Sequence, residues 1–294
     1  MVKKILRVCS VLIIIAIFCA SVFFYSVYIA VERVQIHYES IASTKIPKDL
    51  HNVTIAFITD IQFNHFMTYD RLSKMIENIN QAHPDVILFG GDLFDDTQTQ
   101  TPSEDSTNKL TELLKKLQAP LGKFAVLGER DLTNTEIKDR STSILTNSDF
   151  EIITNRSIRL RNQTNQSITL IGIDSLLKGK PDYDTAFQGV SNEEFNIAIT
   201  HCPDIVNEPG MPLASLDLIF AGHSHASQIS LPILGPLDTI EGAKSYNHGT
   251  YYINNTTRLV VSNGLGTTNL DMRLFSPPQV NIYRLQHASE EVTP

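Results

Sequence analysis

Five short clusters of the 294-residue chain carry side chains that could do chemistry. They are Asp60-Ile61-Gln62, Gly90-Gly91-Asp92-Leu93-Phe94-Asp95, Gly128-Glu129-Arg130-Asp131, Thr200-His201-Cys202-Pro203 and Gly222-His223-Ser224-His225. Taken singly each has a plain structural reading. Asp92 would serve as a helix cap and His201 as a hydrogen-bonded buried histidine. Taken together, in order, they mix carboxylates with imidazoles, a donor set suited to borderline divalent cations such as Mn²⁺, Fe²⁺ or Zn²⁺ rather than Ca²⁺. A two-metal site is the chemistry they imply. Nucleophilic catalysis has no comparable support: there is no Gly-x-Ser-x-Gly element and no phosphate-binding P-loop, and Cys202 reads as a neighbour of His201 rather than as a nucleophile.

Each cluster follows an apolar run bounded by turn residues. Such runs span 53–59, 86–89, 124–127, 168–173, 195–199, 216–220 and 259–261, and they read as buried strands. Between the early ones, Leu72, Met75, Ile76 and Ile79, then Leu110, Leu113, Leu114 and Leu117, recur at helical spacing on one face. The order β-α-β-α-β marks an α/β fold, in which ligands gather beyond the carboxyl ends of strands. The Thr/Ser/Gln/Asp-rich stretch 96–108 is expected to be a solvated loop, and no internal repeat is visible.

Composition narrows the function classes. With 24 Lys and Arg against 32 Asp and Glu the formal net charge is −8, which argues against a basic nucleic-acid-binding face. Of three cysteines, Cys9 and Cys19 lie in an apolar N-terminal stretch, so the remainder holds one thiol and no disulfide framework. From Val8 to Val31 no residue is charged, a run that as a helix crosses a bilayer with some tilt. It is too long for a cleaved signal peptide, and Phe18 before Cys19 and Val8 before Cys9 do not suit a lipoprotein signal. Lys3, Lys4 and Arg7 flank its start, so the positive-inside rule places the N-terminus in the cytoplasm and the rest of the chain outside. The expected organisation is a cytoplasmic tip and transmembrane anchor at 1–32, an irregular linker at 33–51, and a single domain at 52–290. Asn-x-Ser/Thr triplets at Asn52, Asn155, Asn162, Asn165, Asn254 and Asn255 carry no weight in a chain this rich in Asn and Thr.

Over roughly residues 53–285 the chain resembles the calcineurin-like metallophosphoesterase superfamily, whose pattern is D-x-H, G-D-x-x-D, G-N-H-D/E, a lone His and G-H-x-H. It looks most similar to a bacterial membrane-associated branch. Residues Gly222-His223-Ser224-His225-Ala226-Ser227-Gln228-Ile229-Ser230-Leu231-Pro232 resemble that branch's GHTHGGQ-x-x-LP, and Ser262–Thr267 and Ser276–Val280 resemble its tail. The resemblance implies two packed mixed β-sheets flanked by helices, here preceded by one transmembrane helix, with two divalent metals (Mn, Fe or Zn). It implies that Asp60, Asp92 and His225 hold one metal and that Asp92 bridges to a second held by His201 and His223.

Three positions depart from the pattern. Gln62 stands for the His of D-x-H, and its amide oxygen is a weaker ligand than imidazole. His65 could replace it only on a reshaped loop. Glu129 stands for the Asn on the second metal, keeping an oxygen donor and adding charge. Arg130 stands for the His that contacts the phosphoryl group; it can stabilise phosphate charge but cannot donate a proton. Alternatively Glu129 and Arg130 pair with each other and one metal binds. Asp95 is expected to support the first metal site, and Asp131 to orient Arg130 through an ion pair.

The expected function is a membrane-anchored, metal-dependent phosphoesterase. It would hydrolyse phosphomonoester, phosphodiester or pyrophosphate substrates by a metal-bridged hydroxide, with Asp92 and Arg130 as the catalytic pair. Anchoring suits a phosphorylated small molecule or a lipid-linked substrate. The three departures also fit a catalytically impaired relative that binds metal or phosphate in the cell envelope.

Overall fold

The computed structural model describes residues 2–289 apart from Asp96 and Gln98. Met1, those two loop residues and position 290 at the end of the expected domain therefore lie outside the described residues.

Helix α1 (Val2–Phe24) continues into one wider turn at Tyr25–Ile29. Nearly every side chain along it is exposed, and its length and apolar composition suffice to cross a membrane. An apolar helix that finds no protein to pack against has no stable place in water.

Then follow β1 (Gln35–Ser43), β2 (Thr54–Ile58), α2 (Tyr69–Gln81), β3 (Val86–Phe89), α3 (Glu104–Lys115), β4 (Lys123–Ala125), α4 (Thr135–Asn147) and β5 (Phe150–Ile152). After β5 the chain crosses to β6 (Arg156–Leu160), β7 (Ile168–Gly172), α5 (Tyr183–Ala186), β8 (Phe195–Ile199) and β9 (Leu218–Ala221). The short hairpin of β10 (Ser230–Leu231) and β11 (Gly235–Pro236) precedes β12 (Gly249–Tyr252), β13 (Arg258–Val261) and β14 (Gln279–His287).

Two six-stranded mixed sheets result, ordered β1-β14-β2-β3-β4-β5 and β12-β13-β9-β8-β7-β6. They pack through Phe57, Leu88, Phe124, Val126, Ile197, Phe220 and Tyr283, with Phe57 stacked on Phe220 at 5.0 Å between ring centroids. The outer face of the first sheet is covered by α2, α3 and α4 through Met75, Ile79, Leu110, Leu114 and Ile144. Loops and α5 cover the second through Ile205, Met211 and Ala186. The helices start where the side chains dictate: Thr68, Ser103 and Asn134 each accept a hydrogen bond from a backbone N–H of the first turn. Strands β2, β3 and β4 run parallel, as do β7, β8, β9 and β13, so their carboxyl ends collect at one end of the sandwich.

Two expectations change. The stretch 33–51 is not an irregular linker. Nine of its residues form β1, paired in parallel with β14 from Gln35 opposite Gln279 to Ser43 opposite His287. As an edge strand half open to solvent it needs no unbroken apolar run, and β14 supplies the hydrogen-bonding partner that a local reading lacks. The stretch 96–108 is not loop throughout, because the Ser103 cap starts α3 at Glu104.

Candidate metal centre

Carboxyl ends of five strands deliver the candidate ligands. Asp60 and Gln62 follow β2, Asp92 follows β3, Glu129 follows β4, His201 follows β8, and His223 and His225 follow β9. Asp60, Gln62, Asp92, His223 and His225 all have positive φ, between 50 and 69°. Non-glycine residues hold such a backbone only where the surroundings impose it, and such sites concentrate where function needs a set geometry. Two glycines make room. A Cβ on Gly128 would overlap the Asp92 carboxylate, lying 2.8 Å from its Cγ, and one on Gly222 would overlap Asp60 and lie 2.6 Å from Thr59 Cγ2.

The side chains converge as two overlapping groups. Asp60, Asp92 and His201 place ligand atoms within 4.8 Å of one another, and so do Glu129, His201 and His223. His225 Nε2 is 3.5 Å from Asp60 Oδ1, His201 Nε2 is 3.5 Å from Asp92 Oδ2 and 3.1 Å from Glu129 Oε2, and His223 Nδ1 is 2.8 Å from Glu129 Oε1. Each imidazole turns its other nitrogen onto a backbone carbonyl: His201 Nδ1 to Gly90 at 2.7 Å, His223 Nε2 to Glu241 at 2.7 Å and His225 Nδ1 to Gly266 at 3.2 Å. With those nitrogens on carbonyls, His201 Nε2, His223 Nδ1 and His225 Nε2 face the centre, the orientation that outer partners impose around bound metals. Gln62 donates from Nε2 to Asp92 Oδ2 at 3.1 Å. Its Oε1 is buried without a hydrogen-bond partner, as is Asp60 Oδ1. Orphaned buried acceptors cost free energy unless a cation meets them. The residues present therefore fit a pair of divalent cations.

Charge points the same way. Asp60 and Asp92 are buried, Glu129 is 15% exposed, and Arg130 brings its guanidinium Nε to 3.6 Å from Asp92 Oδ2. Burial, reinforced by the Asp92 charge, raises the Asp60 pKa. Burial opposes ionisation of Glu129, yet His201 and His223 hold its carboxyl well below the usual range. Burial disfavours the His201 cation, but Asp92 and Glu129 outweigh it and raise its pKa. Burial, with Arg273 and Arg130 nearby, keeps His225 well below the ordinary imidazole value and so neutral.

Glu129 and Arg130 do not pair with each other. Glu129 faces the two histidines, whereas Arg130 donates its backbone N–H to Asp92 Oδ1 at 2.9 Å and sets Nε 3.6 Å from Asp92 Oδ2. The Arg130 side chain, 21% exposed, also lines a cavity of about 380 Å³ with Asn64, His65, Phe66, Asp95 and Thr268. His65 is exposed there, edge-on to Phe66, and is not among the converging ligands. Cys202 is buried with Sγ 4.0 Å from Glu129 Oε2, and burial pushes its thiol far up, away from any thiolate.

Asp131 differs from expectation. Its Oδ2 accepts from Asp92 N at 2.7 Å and Gly128 N at 3.0 Å, and its Oδ1 from Leu93 N at 3.0 Å and Ser141 Oγ at 3.1 Å. It pins the two ligand-bearing loops to each other rather than orienting the Arg130 side chain. Burial and the Asp92 charge push its pKa up to about 6, against the pull of those amides. Sequence reasoning also missed Arg273. Fully buried, it donates to the carbonyls of His225, Asn263, Gly264, Gly266 and Ser276, bracing the loop behind His225. Its partners are all backbone, so no residue type announced them.

A two-sheet sandwich that gathers carboxylates and histidines at the carboxyl ends of strands from both sheets is the frame of a binuclear metallohydrolase. The calcineurin-like phosphoesterase family matches residues 53–227, and the chain belongs to that family of hydrolases acting on phosphoester bonds with two divalent metals. It is 29% identical over 262 residues to YkuE, an uncharacterized metallophosphoesterase of Bacillus subtilis strain 168, covering 89% of each chain. It is 26% identical over 293 residues to the UDP-2,3-diacylglucosamine pyrophosphatase LpxG of Chlamydia trachomatis serovar D, covering 80% of this chain and 84% of the relative. Among solved structures, TT1561 of Thermus thermophilus aligns with 72% of this chain and 89% of its own at a TM-score of 0.45 and 10% identity, too loose a match to add to the argument.

Proposed function

We propose that the protein is a membrane-anchored phosphohydrolase whose substrate carries a pyrophosphate or an activated phosphoester on a lipid-linked or small phosphorylated molecule. Asp60, Gln62, Asp92 and His225 would hold one metal, and Asp92, Glu129, His201 and His223 the other. The observation that carries this reading is the convergence of three carboxylates and three carbonyl-anchored imidazoles, with the acceptors Asp60 Oδ1 and Gln62 Oε1 buried and without hydrogen-bond partners among them. Two cations at such a site supply charge neutralisation and a water of lowered pKa.

The chain's own groups do the rest. Asp92, fixed by Gln62 and by the Arg130 amide, sets the spacing of the two halves. Arg130 reaches the cavity and meets phosphoryl oxygens as a permanent cation. It has no proton to give, so the site suits leaving groups that depart as stable anions, and a phosphate leaving from pyrophosphate is such a group. The LpxG relative, named as a pyrophosphatase, supports the same substrate class. Residues 1–32 form the anchor, with Lys3, Lys4 and Arg7 on the cytoplasmic side and the catalytic domain outside.

The test is hydrolysis of an activated phosphodiester, a matching monoester and a pyrophosphate diester by the metal-stripped protein resupplied with Mn²⁺. Turnover that needs Mn²⁺ and disappears in Asp92→Asn is the expected outcome. Two bound equivalents without turnover on any of the three would refute hydrolysis and leave a metal-binding envelope protein.

A further inference from the structure

The β10–β11 hairpin rises directly from the histidine loop. Its segment Leu231-Pro232-Ile233-Leu234-Gly235-Pro236-Leu237 has no charged or polar side chain, and Ile233, Leu234 and Leu237 are exposed, Ile233 completely. Ile233 has a φ of 74° and Phe275, also exposed, a φ of 55°. Bulky residues held in the left-handed region with their side chains in the open gain neither backbone ease nor burial within the protein. Exposed apolar groups gathered in one place mark an interaction surface.

The end of the anchor shows what covers it. Ser26 in the last turn accepts a hydrogen bond from Arg273 N at 3.0 Å. The next residue, Leu274, is hydrogen-bonded to the hairpin root in both directions, with Ser230 N donating to Leu274 O at 3.0 Å and Leu274 N donating to Gln228 O at 2.9 Å. Phe275 then shares a cavity of about 420 Å³ with Tyr25, Ala30 and Arg33 of the anchor's exit. The aromatic and arginine pairing at that exit is what the lipid–water boundary favours. Anchor, Phe275 and hairpin are thus contiguous.

The cavity that Arg130 lines beside Asp92 is tied to both anchor and hairpin. Arg71 bonds the Phe66 carbonyl, on the cavity wall, and the Val31 carbonyl at the anchor's end. On the other side Gln228 Oε1 accepts from Thr268 N, again a wall residue, and Gln228 Nε2 donates to Leu270 O at 2.9 Å.

We infer that the β10–β11 hairpin, together with Phe275 and Leu270, is a second membrane-contact surface that dips into the bilayer interface and holds the mouth of the metal centre at the lipid headgroups. The partner is a phospholipid bilayer. The consequence for substrate is that a phosphoester on a lipid reaches the site laterally, without leaving the membrane. The inference rests on the reading of α1 as a membrane anchor.

Depth-dependent fluorescence quenching tests it on the full chain in vesicles of phosphatidylcholine and phosphatidylglycerol doped with doxyl-labelled lipid. In a Cys9→Ala/Cys19→Ala background, an environment-sensitive dye is attached at Leu234→Cys, at Phe18→Cys within the anchor, or at Gln163→Cys. Gln163 is exposed in the turn between β6 and β7, at the far end of the strands from the metal centre. Quenching and a blue shift at 234 and 18, but not at 163, are expected. Quenching at 18 with none at 234 overturns the hairpin's role while leaving the anchor. Absence of quenching at both 18 and 234 removes the anchor, and the hairpin's partner with it.

Discussion

Replacing Asp131 separates two roles for this residue. If its carboxylate pins the ligand loops, Asp131→Ala leaves the buried amides of Asp92, Leu93 and Gly128 without an acceptor. Each orphaned donor costs about 1–3 kcal/mol, and water entering the vacated space recovers part of the sum. A net loss of about 3–5 kcal/mol is expected. Asp131→Asn can keep one oxygen at the Oδ2 position, facing Asp92 N and Gly128 N, but its amide then confronts the Leu93 N–H. Ser141 can turn its hydroxyl to accept, so one donor is stranded and the loss is about 2–3 kcal/mol. For a body of this size such losses lower Tm by roughly 2–4 °C per kcal/mol. Thermal unfolding of the full chain in lipid nanodiscs, read by near-ultraviolet circular dichroism, measures the stability loss. Mn²⁺-dependent hydrolysis measures the effect on the site, where a shift of about 1 Å in a positioned group costs on the order of 100-fold. The reasoning fails if Asp131→Asn melts with the parent protein while sharing the kinetic defect of Arg130→Ala, since that pattern belongs to an ion pair orienting Arg130.

Gly128→Ala should lower Mn²⁺-dependent turnover by about 100-fold or more, because the new methyl takes the space of the Asp92 carboxylate; unchanged turnover would place Asp92 elsewhere. Arg130→His restores a group able to donate a proton, so turnover should rise on substrates with poor leaving groups relative to activated ones, as a leaving-group series will report. Ala226, with φ 49° and ψ 35°, stands where the resembling branch has glycine. Ala226→Gly should change stability by no more than about 0.5 kcal/mol, since relief of the left-handed backbone offsets the lost methyl and the looser unfolded chain, whereas Ala226→Val should cost about 2 kcal/mol or more. Denaturation midpoints compare the two.

How much of this was visible in the sequence follows from what each element is buried against. Strands β3 and β8 match the apolar runs residue for residue, because both faces of those strands are covered and every side chain but the hydrogen-bonded Asn196 is apolar. The one-sided strands β1, β6 and β12 left no such run. Helix α4 went unread because its buried stripe of Ile137, Ser141, Ile144 and Leu145 is interrupted by a serine, and that serine's hydroxyl serves Asp131. The candidate ligands could be picked out since their types carry the chemistry, and the structure brings them together. What positions them, namely the carbonyls of Gly90, Glu241 and Gly266, the Asp131 clamp and the Arg273 brace, works through backbone groups that every residue possesses, and so it appears only in three dimensions.

The division of ligands between the sheets has a consequence for assembly. Asp60, Gln62, Asp92 and Glu129 arrive on the first sheet and His201, His223 and His225 on the second, so neither half alone offers a complete coordination set. The parallel pairings within each sheet already join distant segments, which makes them slow to form. A metal pair held by both sets would be captured only after the sheets dock across Phe57 and Phe220, and would stabilise only chains that have reached that arrangement. Loading the centre would thus come late in folding, since a chain with one sheet formed offers only half of the candidate ligands.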